Sequence, residues 1–139
     1  MITRRGYGMV TVGKITEELM QYWIPMVNAE YGLSDKNEAS FEFFRKLIPF
    51  ADLIANDKYY IVGLYSTDMW GDPCLSILSW YIKPECRTLC TIKQLQRDII
   101  ELAKMKNVRY ICQGSHLDDG ILKLLGKLGY KPQTMMKEI

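Results

Sequence analysis

Apolar positions recur with a helical period in the first third of this chain and with a strand period in the middle. Apolar side chains fall on one helical face over 19–31 and again over 41–48, which predicts helices in both stretches. Pro25 interrupts the first stretch, so one kinked helix and two short helices both fit the pattern. The alternation at 9–12 predicts a short strand before them.

The middle of the chain has the composition of β-structure. Turn-forming residues at 56–58 separate β-branched and aromatic stretches at 53–55 and 59–65, which predicts a hairpin. The segment 74–82 that follows is apolar almost throughout. Such a pattern is typical of a central strand that is covered on both faces.

A helical period returns at Thr91. The apolar residues of this segment fall on one face, whereas Gln96 is predicted to lie among the polar residues off that face. Thr91 and Gln94 match a capping box, which predicts that the helix begins there. The apolar face comprises Ile92, Leu95, Ile99, Leu102 and Met105.

The last part of the chain predicts two strands around one helix. The strand at 108–112 should lie parallel to the long strand before it, because a helical crossover joins the two. A helix over 118–128, with Gly129 at its C′ position, and a strand over 130–139 complete the pattern. The predicted order is β-α-α-β-β-β-α-β-α-β, in one α/β (α+β) domain over 1–139 whose mixed sheet is flanked by helices.

Composition and charge narrow the classes of function. The 139 residues carry 18 basic and 16 acidic side chains, a net charge of +2, and the basic residues are scattered, so no nucleic-acid partner is expected. The apolar runs are far shorter than the ~20 residues of a membrane span, and the first residues lack a secretory signal. We therefore expect a cytoplasmic protein without a membrane partner.

The irregular cysteine spacing predicts reduced thiols and no metal site, although Cys86 and Cys90 approach a metal-ligand spacing.

The junction between the long strand and the amphipathic helix, residues 83–93, is where a ligand is expected. A helix N-terminus presents unpaired backbone N–H groups and a partial positive charge, which together stabilise a phosphate. Arg87 and Lys93 would add formal charge there. Every strand-to-helix turn has such amides, however, and most of them bind only water. The junction by itself leaves both interpretations open.

The element order and two short motifs together resemble the GNAT superfamily of acyl-CoA N-acyltransferases. The first motif is Lys-Pro-Glu-Cys-Arg at 83–87, where family members commonly have Pro-Glu-x-Arg-Gly-x-Gly-x-Gly/Ala. The second is Leu-Leu-Gly-Lys-Leu-Gly-Tyr at 124–130, where they have Leu-Tyr-x-Lys-Leu-Gly-Phe. The element order covers the whole chain, and the motifs cover about 83–93 and 121–132.

The resemblance implies direct transfer of an acetyl group from acetyl-CoA, as co-substrate, to an amine on a small molecule or a protein. It implies that the long strand splays from its neighbour and holds the thioester arm through Trp80, Tyr81 and Ile82. It also implies that the following turn wraps the pyrophosphate with its backbone amides. The residues so implied at the turn are Arg87, Thr88, Leu89, Cys90, Thr91, Ile92 and Lys93.

Two departures from the family pattern fall on functional positions. Where the family places glycines, this chain has Thr88, Cys90 and Ile92, whose Cβ atoms crowd the approach to a phosphate. Leu125 aligns with the tyrosine that usually protonates the leaving thiolate, and a leucine has no proton to donate. The usual acid is therefore absent.

Substitute catalytic groups follow the strand at 108–112. His116 is the only histidine of the sequence, and because an imidazole can exchange a proton near neutral pH, His116 is the candidate base or acid, with Ser115 beside it. The alternative interpretations are that His116 is a surface residue and that Ser115 caps the last helix.

Three functions fit the sequence. The first is the acetyltransferase itself. The second is a catalytically inactive GNAT-like binding or structural module with a protein partner. Compact chains with eroded loops of this kind resemble acetyltransferase-like proteins of tailed bacteriophages, some of them virion-associated, for which the host cytoplasm or the virion is the expected location. The third is a nucleotide-binding module that uses the same helix terminus.

Overall fold

A single sheet whose strands follow one another in chain order forms the centre of the structure. The computed structural model describes residues 2–5, 8–113 and 119–131. Neighbouring strands of the described part pair antiparallel, except that the last two pair parallel. The six strands are β1 (Ile2–Arg5), β2 (Gly8–Lys14), β3 (Ala51–Ala55), β4 (Tyr59–Thr67), β5 (Pro73–Ile82) and β6 (Tyr110–Gln113).

Four α-helices accompany these strands in the described residues. Thr16 caps the first of them by accepting a hydrogen bond from the Leu19 N–H at 3.2 Å. That helix continues through Pro25 without a break, because the buried side chains of Trp23 and Ile24 anchor this stretch against the sheet. The helices are α1 (Glu17–Glu30), α2 (Asn37–Leu47), α3 (Leu89–Met105) and α4 (Asp119–Lys127).

The predicted mixed sheet with flanking helices is confirmed, including the hairpin of β3 and β4 and the parallel pairing of β5 with β6. The first strand, β1, was not predicted, because Arg4 and Arg5 interrupt its short apolar alternation. It pairs with β2 from Ile2 opposite Thr11 to Arg5 opposite Gly8. The predicted strand over 130–139 lies outside the described residues except for its first two positions.

The end of α4 agrees with the prediction. Gly129 follows the helix with a positive φ of 96°. The Tyr130 N–H donates to the Leu125 carbonyl at 3.1 Å, which closes the C-terminal turn in the manner of a Schellman motif.

Each face of the sheet carries its own buried cluster. On one face α3 packs through Leu95, Ile99 and Leu102, each 1% exposed or less, against β4 and β5. On the other face α1 and α2 pack around Trp23 against Tyr60 and Tyr81. The predicted cover on both faces of β5 is thereby confirmed, whereas Met105, at the end of the α3 stripe, is exposed.

None of the described helices combines the length and the apolar character needed to cross a bilayer.

Candidate functional site

The sheet opens between β5 and β6. Their parallel pairing runs from Cys74 opposite Tyr110 to Ile77 opposite Gln113, whereas β5 continues to Ile82. No described strand pairs with this edge of β5 beyond Ile77. Backbone N–H and C=O groups of the following residues therefore face the opening, which is the splay that the family resemblance implies for this strand.

A β-bulge determines how β5 presents its side chains at the opening. In the pairing with β4, Ser79 lies opposite Val62 and Ile77 opposite Gly63, so Leu78 is left without a partner. A Cβ at Gly63 would lie 2.7 Å from Leu75 Cδ1, so a larger residue there would require the Leu75 side chain to move. The bulge reverses the alternation of β5 at the point where the sheet opens.

The three β5 residues predicted to hold the thioester arm lie on alternating faces of the sheet, because the strand is regular after the bulge. Trp80 and Ile82 pack with the cluster under α3, whereas Tyr81 packs with the cluster under α1. Burial and the nearby Glu30 carboxylate raise the pKa of Tyr81 to about 12. Trp80 and Ile82 therefore line the opening on its α3 side, whereas Tyr81 lies on the opposite face.

The turn after β5 leads directly into α3. A short 3-10 turn, Pro84–Cys86, is followed by Thr88, whose extended backbone and hydroxyl cap the helix. Thr88 Oγ1 accepts a hydrogen bond from the Thr91 N–H at 3.2 Å. The prediction that Thr91 caps the helix is wrong. Thr88 takes that role because its side chain reaches the third residue of the helix, and α3 begins at Leu89.

Two backbone amides at the start of α3 are open. The Thr88 N–H donates to the Cys86 carbonyl, the Thr91 N–H to Thr88 Oγ1 and the Ile92 N–H to the Thr88 carbonyl. The N–H groups of Leu89 and Cys90 have no acceptor among the described residues, and both residues are exposed. Of the six amides predicted to bind phosphate, these two lie at the positive end of the helix without an acceptor in the described part of the chain.

Arg87 is engaged with α1. Its guanidinium forms a salt bridge with Glu30 at 2.6 Å, and its Nε donates to the Ile82 carbonyl at 3.0 Å. The guanidinium also lies over the Tyr81 ring, 5.2 Å from the centroid. The Glu30 carboxylate therefore partly neutralises the positive charge of Arg87 that was predicted to bind phosphate. The same contact connects the turn to the end of α1. Lys93 lies exposed one turn further along α3.

The Glu30–Arg87 pair predicts a dependence of stability on pH. The hydrogen bond from Arg87 lowers the pKa of Glu30 below its ordinary value of 4.5. Its contribution, at most about 1 kcal/mol for a partly exposed pair, is complete above that value and is lost as the pH falls through the lower folded pKa. Glu30→Gln should therefore lower the free energy of unfolding more at pH 7 than at pH 3, as measured by urea denaturation.

Glu85→Gln provides the control for that measurement, because Glu85 is an exposed carboxylate of the same turn. A Glu30→Gln variant as stable as the wild type at pH 7 would contradict the assignment of a stabilising role to the pair.

Three buried polar atoms around the opening lack hydrogen-bond partners in the described part of the chain. They are the indole Nε1 of Trp80, Nε2 of Gln96 and Oε1 of Gln113. Gln96 was predicted to lie off the buried face of α3 and is only 4% exposed, so that prediction is wrong. It is buried because Ile92 and Ile99, which face the sheet, lie four residues before it and three residues after it.

The catalytic candidates are placed only in part. Ser115 and His116 lie outside the described residues. Leu125, aligned with the tyrosine acid of the family, is 5% exposed in α4. Tyr130, five residues on, has a pKa raised by burial and lies near Gln113. Within the described residues, no group of three His, Cys, Asp or Glu side chains is placed to hold a metal ion.

A cavity of about 50 Å³ lies on the other face of the sheet, under α1 and α2. Its lining is apolar except for Asn28, Ser40 and Tyr60. These polar groups bond within the protein, since Asn28 Nδ2 donates to Ser40 Oγ at 3.1 Å and the Tyr60 hydroxyl lies 2.8 Å from Ser79 Oγ. The cavity is therefore a gap in the apolar core with its polar groups already paired.

Comparison with known proteins identifies the fold. No protein-family model matches the sequence, and no curated protein matches it. Among solved structures, an acetyl transferase from Pyrococcus furiosus superposes with a TM-score of 0.71 at 18% identity, over 94% of this chain and 98% of that one. An aminoglycoside acetyltransferase from an uncultured soil metagenomic sample gives a TM-score of 0.71 at 12% identity, over 94% and 97% of the two chains.

A third solved structure shows a ligand in this fold. The aminoglycoside acetyltransferase AAC(6')-Iy, in complex with the bisubstrate analogue CoA-S-monomethyl-acetylneamine, superposes with a TM-score of 0.67 at 11% identity, over 94% of this chain and 96% of that one. These three structural neighbours are acetyltransferases of the GNAT fold. This chain has the GNAT fold, and the resemblance seen in the sequence is confirmed at the level of the fold.

Proposed function

We propose that this protein is an acyltransferase that moves an acetyl group from acetyl-CoA to an amine of a small molecule or a protein. The observation that carries the proposal is the course of β5. Its pairing with β6 stops at Ile77, the strand continues to Ile82, and the open amides of Leu89 and Cys90 follow directly. An extended ligand with a diphosphate at one end fits this arrangement, in which an unpaired strand edge leads to open amides at the start of a helix.

The start of α3 would hold the diphosphate. The N–H groups of Leu89 and Cys90 point out of the helix with the positive end of its dipole, and the Lys93 ammonium adds a charge one turn on. Leu89 and Cys90 are exposed and their N–H groups have no acceptor among the described residues, which supports the glycine-poor turn as a source of donors for a phosphate.

The opening of the sheet would hold the pantetheine arm. Backbone groups between Leu78 and Ile82 face the gap, and the unpartnered Nε1 of Trp80 adds a side-chain donor on the α3 side. An amine would attack the thioester carbonyl of acetyl-CoA directly, so that the amide C–N bond forms, the C–S bond breaks and CoA leaves as the thiol, while the amine loses a proton. We assign proton transfer to His116, with Ser115 beside it, because both follow the end of β6 within three residues.

The test of the proposal is stabilisation by acetyl-CoA. A ligand at 100 times its dissociation constant adds about 2.7 kcal/mol to the free energy of unfolding. For a chain of this length the melting temperature should rise by about 8–10 °C. Differential scanning fluorimetry with millimolar acetyl-CoA measures this rise, and adenosine at the same concentration is the control. Equal melting temperatures with and without acetyl-CoA would contradict the proposal.

A binding module of the same fold is the second candidate, and the burial of an apolar residue at position 125 favours it. Such a module would show the rise in melting temperature without release of free thiol from acetyl-CoA in the presence of amines. Thiol release that depends on an added amine would instead establish transfer.

A further inference from the structure

Gln96 and Gln113 form a buried amide pair at the opening of the sheet. Gln113 Nε2 donates to Gln96 Oε1 at 2.9 Å. The other two polar atoms of the pair, Gln96 Nε2 and Gln113 Oε1, are buried without a partner among the described residues. Exchanging oxygen and nitrogen in both amides reverses the bond and still leaves one free donor and one free acceptor.

The pair lies between the three elements that bound the opening. Gln113 is the last residue of β6 to pair with β5, opposite Ile77. Gln96 lies on α3, seven residues after Leu89, which corresponds to about 10 Å along the helix. An arm that starts at the first turn of α3 and enters the gap beside β5 passes this pair.

The energetics indicate that the pair serves a ligand. A buried polar group without a partner costs about 1–3 kcal/mol, and two apolar side chains of the same size would avoid that cost. A hydrogen-bonded pair that leaves one donor and one acceptor unpaired in the same place is complementary to a secondary amide. Such an amide offers one C=O and one N–H.

We propose that the Gln96–Gln113 pair binds a secondary amide of the pantetheine arm and so selects a pantetheine thioester over a plain nucleotide. This inference rests on the proposed function. The pair recognises the arm, whereas the amides of Leu89 and Cys90 recognise the phosphates. The two parts of the ligand therefore have separate determinants in the protein.

The test is the double variant Gln96→Met with Gln113→Met. It removes both free atoms, their mutual bond and the hydrogen bond between Gln113 and the Tyr130 hydroxyl while keeping the volume, so we expect a melting temperature close to that of the wild type. The affinity for acetyl-CoA should fall about 10-fold or more in isothermal titration calorimetry. The affinity for adenosine 3′,5′-bisphosphate, which lacks the arm, should not change. Gln94→Met, on the same helix outside the pair, is the matched control.

A second measurement on the wild type is independent of the folding of the variant. Addition of S-acetylpantetheine, which carries the two amides without the nucleotide, should shift the side-chain amide resonances of Gln96 and Gln113 in an ¹H–¹⁵N spectrum. Unshifted resonances, or a double variant that binds acetyl-CoA like the wild type, would overturn the inference. A double variant that unfolds or loses both ligands equally would show a structural pair and overturn it as well.

Failure of the proposed function gives a different pattern from failure of this inference. If the proposed function is wrong, the wild type binds neither acetyl-CoA nor adenosine 3′,5′-bisphosphate, and the inference is then wrong as well. Binding of both ligands with no effect of the double variant overturns the inference alone.

Discussion

Replacing Leu89 by proline is expected to weaken acetyl-CoA binding about 10- to 100-fold and to leave the fold intact. Proline is favoured at the first position of a helix, and Thr88 before it already has the extended backbone, φ −121° and ψ 161°, that a residue preceding proline prefers. The substitution removes an N–H that has no acceptor among the described residues. A hydrogen bond to a charged group is worth about 1.5–3 kcal/mol, which gives the expected range.

Leu89→Ala is the matched control, because it removes the same side chain and keeps the amide. Titration calorimetry with acetyl-CoA measures the affinities of both variants, and circular dichroism checks that both are folded. Equal affinities for the proline and alanine variants would show that the phosphates bind elsewhere.

Ile99→Ala is expected to lower the free energy of unfolding by about 2–5 kcal/mol. Ile99 is fully buried between α3 and the sheet, so its truncation leaves a cavity that the surrounding strands close only in part. Ile100, the next residue of the helix, is 43% exposed, and Ile100→Ala should change stability by less than about 0.5 kcal/mol. Urea denaturation of the two variants makes the comparison. Similar losses for both would contradict the described burial of α3.

Much of the fold could be predicted from local periodicity. The stripe that contains Leu95 and Ile99 identified α3, and the turn signal at 56–58 identified the hairpin of β3 and β4, because each is determined by residues close in sequence. The strand β1 is too short and too charged to show a period, and only its pairing with β2 defines it. The continuity of α1 through Pro25 likewise depends on tertiary packing.

The turn that carries the candidate site could be located from the sequence, but its contacts could not. The motif at 83–87 located the turn, yet nothing in it shows that Arg87 contacts Glu30, 57 residues earlier in the chain. Gln96 is polar and appeared to belong to the solvent face, although its spacing from Ile92 and Ile99 was a signal for burial. Which amides stay open depends on the Thr88 hydroxyl, because either Thr88 or Thr91 is a chemically suitable cap.

The unpaired Leu78 determines whether odd-numbered or even-numbered residues of β5 face α3. Before it the odd-numbered residues Leu75 and Ile77 point towards α3, and after it the even-numbered Trp80 and Ile82 do so. If Leu78 took a regular place in the ladder, Ser79 and Tyr81 would turn into the apolar layer beneath α3 and the Trp80 indole would move to the opposite face, whereas a chain without Leu78 would keep these side chains where they are. A single extra residue thus changes which side chains of β5 face α3, while the strand stays paired with β4 on both sides of the bulge.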